Sequence, residues 1–279
     1  IAKANPTTPL SAETGGKNVI ILTASGDRDH AIMNIVTSAF GNAGQKCSAC
    51  SLLLVERSVY EDENFRSKLK DAATSLKTGS VWNAGNIVGP MITNKNDKLL
   101  QAFNLEPGES WLVPPRFIDR REYILAPTVK WGVKPESFSF RTELFGPLLS
   151  VACIENLEEG IKLVNSLDYG LTSGLQSLDE EEQKLWKNSV IAGNLYINRG
   201  ITGAIVNRQP FGGMKLSAFG GGIKAGGPNY CTCFVEITDK PDSQTDYIDS
   251  YFDACEEEFM DRGMLISYTE NRMSSVTYL

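Results

Sequence analysis

The run Val19-Ile20-Ile21-Leu22-Thr23-Ala24, followed directly by Ser25-Gly26-Asp27, indicates the fold of this chain. An uninterrupted apolar and β-branched run is typical of a strand covered on both faces, and the Ser-Gly-Asp sequence is a helix-start signal. Apolar residues then recur at helical spacing as far as Phe40. The sequence therefore predicts a strand followed by a helix, the repeating unit of a parallel sheet.

The same alternation continues towards the carboxyl end. Further helices are predicted over 60–76, through 157–164 and around 185–186, and further strands at 51–55, 123–130, 148–154, 173–177 and 195–198. Residues 80–120 are rich in Asn, Gly and Pro and predict an irregular excursion. This order predicts an α/β fold, a parallel sheet with flanking helices whose catalytic loops lie at the carboxyl ends of the strands.

One cysteine and one glutamate stand in glycine-containing runs on either side of this first strand and helix. Cys47 lies in Gly44-Gln45-Lys46-Cys47-Ser48-Ala49, and Glu13 lies in Glu13-Thr14-Gly15-Gly16-Lys17-Asn18. A thiolate is a strong nucleophile, and a carboxylate can act as its general base. The single histidine, His30, falls within the predicted helix. The two runs therefore predict a catalytic Cys-Glu pair, although Glu13 could also be a surface carboxylate beside a glycine turn.

Two further motifs follow in the order Glu143-Leu144-Phe145-Gly146-Pro147 and Pro210-Phe211-Gly212-Gly213. The four motifs together resemble those of the aldehyde dehydrogenase superfamily, over roughly residues 9 to 237. Residues 46–49, Thr202-Gly203-Ala204 and Lys224-Ala225-Gly226-Gly227-Pro228 narrow the resemblance to glutamate semialdehyde (pyrroline-5-carboxylate) dehydrogenases. These enzymes occur alone or as the carboxyl-terminal module of proline utilization A proteins.

The resemblance implies an NAD-dependent enzyme of proline catabolism that oxidises glutamate γ-semialdehyde to glutamate. Cys47 would carry the thiohemiacetal and thioester, and Glu13 would activate the hydrolytic water. Glu143 would hydrogen-bond the nicotinamide ribose, and Phe145 would brace the nicotinamide ring. Without the other motifs, these last two residues would be interpreted as a capping carboxylate and a core aromatic.

Substrate selection would depend on holding the amino-acid end of the semialdehyde. By resemblance, Ser48 and the backbone N–H groups of Gly203 and Ala204 would bind that end, and Phe211 would pack on the aliphatic stem. Lys46 could attract the substrate or lower the pKa of the neighbouring thiol, or it could be a plain solvated lysine.

The six cysteines also permit metal or redox interpretations, through Cys47-x-x-Cys50 and Cys231-x-Cys233. With one histidine and no second Cys-x-x-Cys, we predict no metal site. The cysteines other than Cys47 are instead predicted to be small buried apolar residues.

Charge is concentrated in the last segment of the chain. Residues 238–279 contain three basic and ten acidic residues, so the remainder carries 24 of each and the segment accounts for the net charge of −7. A neutral body argues against nucleic-acid binding. No apolar run approaches the ~18 residues that a membrane span needs, and the amino terminus lacks a signal pattern. These features predict a cytoplasmic protein that binds neither nucleic acid nor membranes.

The predicted organisation has four parts. Residues 1–25 would end a cofactor-binding domain, 26–229 would form the catalytic domain, 230–237 an oligomerisation strand and 238–279 an acidic tail. An apolar stripe over 248–259 predicts an amphipathic helix in the tail, and disorder is the alternative. The strand predicts a homo-oligomer, a dimer or higher.

The chain is interpreted as the catalytic half of a larger enzyme, which would hold NAD poorly on its own. A dehydrogenase for another carboxylate-bearing semialdehyde, such as succinate semialdehyde, is one alternative. A fragment that is weakly esterolytic, or catalytically silent and mainly oligomerises, is another.

Overall fold

A computed structural model describes residues 3–5, 10–93, 95–121, 123–220, 224–227 and 230–231, together with the backbone of 264–269 and 272–277. The helices are α1 (Arg28–Phe40), α2 (Arg57–Tyr60), α3 (Glu63–Ser75), α4 (Asp97–Gln101), α5 (Phe138–Arg141), α6 (Leu157–Asn165) and α7 (Glu180–Ser189). A short 3-10 turn, Gly41–Gly44, follows α1.

Nine strands form the main sheet, in the spatial order β14-β15-β11-β10-β2-β3-β8-β7-β4. Their bounds are β2 (Asn18–Leu22), β3 (Cys50–Glu56), β4 (Ser110–Val113), β7 (Thr128–Trp131), β8 (Leu148–Ile154), β10 (Thr172–Gln176), β11 (Asn194–Ile197), β14 (Met264–Thr269) and β15 (Arg272–Thr277). Three small ladders, β1–β13, β9–β12 and β5–β6, are built from β1 (Ala12–Glu13), β5 (Phe117–Asp119), β6 (Ile124–Leu125), β9 (Tyr169–Gly170), β12 (Met214–Lys215) and β13 (Ala218–Phe219).

The centre of the sheet is parallel from β11 to β7, as the sequence predicts. Strand β2 lies between β10 and β3 and is fully buried along its length. Because successive side chains of a strand point to opposite faces, Ile20 and Leu22 join one apolar core while Val19 and Ile21 join the other. Helices α1 and α3 cover the first face, and α6 and α7 cover the second.

Side-chain caps fix where the long helices begin. Asp27 accepts the backbone N–H of His30 at the start of α1, and Asp62, Asn156 and Asp179 do the same for α3, α6 and α7. Such caps satisfy backbone donors that have no partner inside the helix. The helix after β2 therefore starts at the Ser-Gly-Asp signal that the sequence predicts.

Several predicted elements differ from those observed. The predicted irregular segment 80–120 contains α4, β4 and β5, and β4 pairs antiparallel with β7, so the sheet is mixed rather than wholly parallel. The predicted strand 123–130 is two short strands, β6 and β7, and the predicted helix 60–76 is preceded by the separate turn α2. An antiparallel neighbour needs no crossover helix, which is why β4 can join the sheet without one.

The carboxyl-terminal predictions fall largely outside the described residues. The predicted oligomerisation strand, 230–237, reaches them only at residues 230–231, and the predicted tail helix over 248–259 lies wholly outside them. The backbone of β14 and β15 forms an antiparallel hairpin, and β15 pairs parallel with β11. The sequence analysis did not predict this hairpin. In the described part of the chain, no helix combines the length and apolarity that crossing a membrane requires.

Leu53 tests the central position of β3. Its side chain is fully buried in the core cluster on the α1 face. We expect Leu53→Ala to lower the free energy of unfolding by about 2–5 kcal/mol, because it leaves a cavity that the sheet cannot close. Met33→Ala is the control, since Met33 is 54% exposed on α1, and it should change the same quantity by less than about 0.5 kcal/mol. Urea unfolding measures both, and equal losses would contradict the assigned core.

Candidate active site

The loop that carries Cys47 begins with a backbone turn of unusual handedness. After α1 ends at Phe40, Asn42, Ala43 and Gly44 have φ angles of 56°, 54° and 67°. A non-glycine residue in the left-handed region destabilises the folded state by about 1–3 kcal/mol, so this conformation persists only where the surrounding structure holds it. The turn reverses the chain and places Cys47 on the surface as an exposed free thiol.

Gly44 packs directly against the predicted cofactor motif. A Cβ added to Gly44 would lie 2.3 Å from the carbonyl oxygen of Gly146, and the φ of +67° independently favours glycine. The nucleophile loop and the Glu-Leu-Phe-Gly segment are therefore in backbone contact. No side chain fits between them.

Asn18 ties the nucleophile loop to the sheet. Its Nδ2 donates to the carbonyl oxygens of Cys47 (2.6 Å) and Ala49 (3.0 Å), while its Oδ1 accepts the N–H of Thr172 (3.0 Å). Asn18 is 1% exposed, so these bonds are shielded from water. The side chain at the start of β2 thus fixes the backbone on both sides of Ser48.

Gln45 holds a second loop against the nucleophile. Its Oε1 accepts the N–H of Ile92 at 2.7 Å, and its Nε2 donates to the carbonyl of Pro90 at 3.3 Å. The glutamine of the Gly-Gln-x-Cys motif therefore connects Cys47 to the segment that precedes α4.

Glu13 lies on the short strand β1, opposite Ala218 of β13. Thr14 extends this ladder, since its N–H donates to the carbonyl of Ser217 at 3.1 Å. Although the residue is exposed, desolvation of its carboxyl end raises the pKa of Glu13, while the N–H of Gly213 and the charge of Lys224 oppose that rise. Glu13 is therefore a carboxylate of increased basicity, as a general base requires.

The charges around Cys47 include those of both predicted carboxylates. Burial raises the pKa of the Cys47 thiol, the N–H groups of Ser48 and Cys47 lower it, and Glu13 and Glu143 raise it. The structure thus brings the predicted nucleophile, base and cofactor carboxylate into one site. Because the thiol is mainly protonated at neutral pH, it needs a neighbouring base to become a nucleophile.

Glu143 and Phe145 lie beside the base motif. Glu143 accepts the N–H of Gly16 at 2.9 Å, and a Cβ on Gly15, whose φ is +141°, would lie 2.6 Å from its Oε2. Phe145 has a φ of 49°, which is uncommon for a bulky residue, and it is 39% exposed. Asn96, the cap of α4, donates to the carbonyl of Leu144 at 2.7 Å and supports this conformation.

The five residues predicted to contact substrate border one pocket of about 340 Å³ together with Cys47. These are Lys46, Ser48, Gly203, Ala204 and Phe211. Lys46 also borders the depression that contains Glu143 and Phe145, and it is exposed. Sequence reasoning missed several other wall residues, namely Ile205, Val206, Gln209, Ala225 and Gly226. Only their position beside the predicted anchor residues could have indicated them.

The amide Nε2 of Gln209 is buried without a hydrogen-bond partner among the described residues. The cysteines described, Cys47, Cys50, Cys153 and Cys231, are free thiols. Cys50 is buried as predicted, whereas Cys153 is partly exposed and Cys231 is exposed, so the predicted burial is wrong for these two. Nowhere in the described ranges do three or more His, Cys, Asp or Glu residues form a group that could hold a metal ion.

Comparison with known proteins agrees with this geometry. The aldehyde dehydrogenase family model matches residues 1–239. A 1-pyrroline-5-carboxylate dehydrogenase from Staphylococcus haemolyticus is 37% identical over 229 residues, which cover 81% of this chain and 43% of that protein. The chain therefore spans less than half the length of the curated relatives that it matches.

Two solved structures superpose on the chain with substantial identity. Proline utilization A (PutA) from Corynebacterium freiburgense has a TM-score of 0.79 and 41% identity, covering 89% of this chain and 26% of that one. A 1-pyrroline-5-carboxylate dehydrogenase from Thermus with bound NAD has a TM-score of 0.74 and 34% identity, covering 81% and 43%. The chain belongs to the aldehyde dehydrogenase family. The predicted family is confirmed, and the similarity extends to the predicted branch.

The contact between Gly44 and Gly146 can be tested by adding one methyl group. We expect Gly44→Ala to lower the free energy of unfolding by about 1–3 kcal/mol, because the methyl meets a backbone oxygen and the left-handed angle disfavours alanine. It should also change the rate at which iodoacetamide alkylates Cys47, which peptide mass spectrometry measures.

Gly41→Ala is the matched control, three residues away. Gly41 has a φ of −54° and no atom within 4 Å of an added Cβ, so its substitution should leave both quantities nearly unchanged. Equal effects of the two substitutions would contradict the assigned contact.

Proposed function

We propose that this chain forms the catalytic part of an NAD-dependent dehydrogenase that oxidises glutamate γ-semialdehyde to glutamate in proline catabolism. The observation that carries the proposal is that Cys47 borders the same pocket as the predicted substrate residues, while Glu143 lies in the depression that shares Lys46 with it, and the charges of Glu13 and Glu143 both act on the thiol. The named relatives support the choice of substrate.

Cys47 begins the reaction as the nucleophile. Glu13 or a water molecule takes the thiol proton, the sulfur forms a bond to the aldehyde carbon, and the carbonyl electron pair moves to oxygen. The backbone N–H of Cys47 would donate to that oxygen, and a preorganised N–H of this kind stabilises the negative charge. The product is a tetrahedral adduct on sulfur.

When bound, NAD would supply a hydride acceptor for this adduct, and loss of the hydride would leave a thioester on Cys47. The residues present fit such a group: Glu143 is held by Gly16 with its second oxygen beside Gly15, and Phe145 presents part of its ring to solvent. Glu143 would bind the ribose hydroxyls of NAD, and Phe145 would contact its nicotinamide.

Glu13 acts in the hydrolytic step. It takes a proton from water as the water oxygen attacks the thioester carbon, the carbon–sulfur bond breaks, and its electron pair returns to the sulfur of Cys47. The increased pKa of Glu13 suits this role, because a more basic carboxylate is a better proton acceptor.

The wall opposite Cys47 suits the amino-acid end of the substrate. Within the described part of the chain, the backbone N–H groups of Gly203 and Ala204 have no protein acceptor. With the hydroxyl of Ser48 they would bind a carboxylate, and Phe211 would cover the aliphatic stem. For Lys46, on the border of both cavities, we propose attraction of the substrate carboxylate.

The remaining sequence predictions accompany this proposal. We propose the four-part organisation, with boundaries after residues 25, 229 and 237, and a homo-oligomer of two or more copies that acts on a small-molecule semialdehyde in the cytoplasm. The alternative of a dehydrogenase for another carboxylate-bearing semialdehyde, such as succinate semialdehyde, is separated by substrate comparison below.

Acylation of Cys47 can be tested without cofactor. Incubation with p-nitrophenyl acetate should place an acetyl group on Cys47, seen by peptide mass spectrometry, and Cys47→Ala should abolish it. Glu13→Gln should slow loss of the acetyl group by about 100-fold or more, because the amide cannot accept the proton of water.

Cys153→Ala and Glu158→Gln are the controls, since Cys153 is a second, partly exposed thiol and Glu158 is an exposed carboxylate on α6. Neither should change the labelling or the deacylation rate. An acetyl group found mainly on another side chain would refute the proposed nucleophile.

Ser48 tests substrate recognition in the intact protein that contains this chain. Ser48→Ala should raise KM for glutamate γ-semialdehyde about tenfold, because one hydrogen bond to a charged group is lost. The same change should leave KM for propionaldehyde, which has no carboxylate, unaltered. Steady-state NADH formation measures both. A higher kcat/KM for succinate semialdehyde than for glutamate γ-semialdehyde would favour the alternative substrate.

A further inference from the structure

Lys224, in the glycine-rich segment 199–229, lies near the proposed base Glu13 and has no role in the mechanism described above. The Nζ of Lys224 donates to the backbone carbonyl of Gly193, at the start of β11. The chain around it is held by hydrogen bonds between Phe211 and Ala225, each 2.9 Å long. Lys224 is therefore fixed at one end by its backbone and at the other by its ammonium group.

Gly212 gives the position of Lys224 relative to Glu13. The point where a Cβ of Gly212 would lie is 3.0 Å from the Cγ of Lys224 and 3.5 Å from the Oε1 of Glu13. The lysine stem and the carboxylate therefore contact the same glycine. A side chain on Gly212 would separate them.

Lys224 and Glu13 interact electrostatically in a partly desolvated environment. Burial lowers the pKa of Lys224 to about 8, and the charge of Glu13 opposes that shift. The lysine therefore remains mostly protonated at neutral pH. In return, its positive charge opposes the rise in the pKa of Glu13 that desolvation causes. Lys224 is thus the titratable group that acts on Glu13, and Glu13 in turn acts on Cys47 together with Glu143.

We propose that Lys224 is a positioning residue for the hydrolytic step, which keeps Glu13 ionised and holds its carboxylate against Gly212. The inference rests on the proposed role of Glu13. A base that is desolvated beside a nucleophile tends to take up a proton and become inactive. A fixed ammonium group near the carboxylate opposes this, because it favours the charged form of Glu13.

The test is the pH dependence of deacylation. The protein is acetylated on Cys47 with p-nitrophenyl acetate, excess reagent is removed, and loss of the acetyl group is followed by intact mass spectrometry. Rates are measured from acid to neutral pH for the wild type, Lys224→Gln, Lys224→Met and Lys224→Arg. Gln retains a donor for the Gly193 carbonyl without the charge, whereas Arg retains the charge.

Lys215→Met is the matched control. Lys215 lies in the same loop, is partly buried, and donates to the carbonyls of Asn165 (3.0 Å) and Leu167 (2.8 Å). Burial lowers the pKa of Lys215, and the charge that opposes this shift is that of Asp168, not that of Glu13. Its loss therefore reports the effect of removing a buried lysine from the loop without changing the charge beside the base.

The sign of the expected shift follows from the pKa of Glu13. Loss of the ammonium charge raises that pKa, so the acid limb of the deacylation profile should move to higher pH, by about half a unit or more, in Lys224→Gln and Lys224→Met. Rates well above the limb should remain near wild type. Lys224→Arg and Lys215→Met should retain the wild-type limb.

Each remaining result has a definite meaning. If Lys224→Gln keeps the wild-type limb, or if Lys215→Met shifts it equally, the positioning role is overturned while the proposed function stands. If Glu13→Gln deacylates as fast as the wild type, both fall together. Should Lys224→Met unfold, as judged by circular dichroism, the Gln and Arg pair decides the question alone.

Discussion

The backbone contact between Gly44 and Gly146 is the constraint on which the candidate site depends. The two loops that lead into the neighbouring strands β3 and β8 meet there with no side chain between them. One loop carries Cys47 and the other carries Glu143 and Phe145, so a fixed contact at this point also fixes the relation of thiol to cofactor motif. Asn18 adds a second support, because it bonds the backbone around Cys47 to the centre of the sheet. Reacting groups need such rigid supports to keep their mutual positions.

The sequence predicted the parallel centre of the sheet because β2, β3 and β8 are buried on both faces and so consist of nearly continuous apolar residues. It did not predict β4. That strand lies at the sheet edge, is exposed at Ser110, and sits in a segment rich in turn residues. Local composition predicts a loop for such a segment. It becomes a strand only through antiparallel pairing with β7, which the local sequence does not contain.

The residues of the candidate site were predictable to the extent that short motifs contain them. Cys47, Glu13, Glu143 and Phe145 follow from four runs of sequence, and the structure brings them together. Gln45 and Asn18 stand inside the same motifs, but their partners are 47 and 154 residues away, so their bonds could not be inferred from spacing. The relation of Lys224 to Glu13 was missed for the same reason, because the two residues are far apart in the sequence. Side-chain partnerships across a fold depend on topology rather than on local pattern.

Phe145 shows how stability and recognition can oppose each other within one residue. A left-handed backbone angle costs a phenylalanine of order 1–3 kcal/mol that a glycine would not incur, and part of the ring remains in water. Replacement by glycine would therefore relieve the folded state while removing the aromatic surface. Under the proposed contact of Phe145 with the nicotinamide, selection for turnover would retain the ring that selection for heat resistance alone would tend to erase. Phe145 should therefore be kept unchanged when this domain is engineered for higher thermal stability.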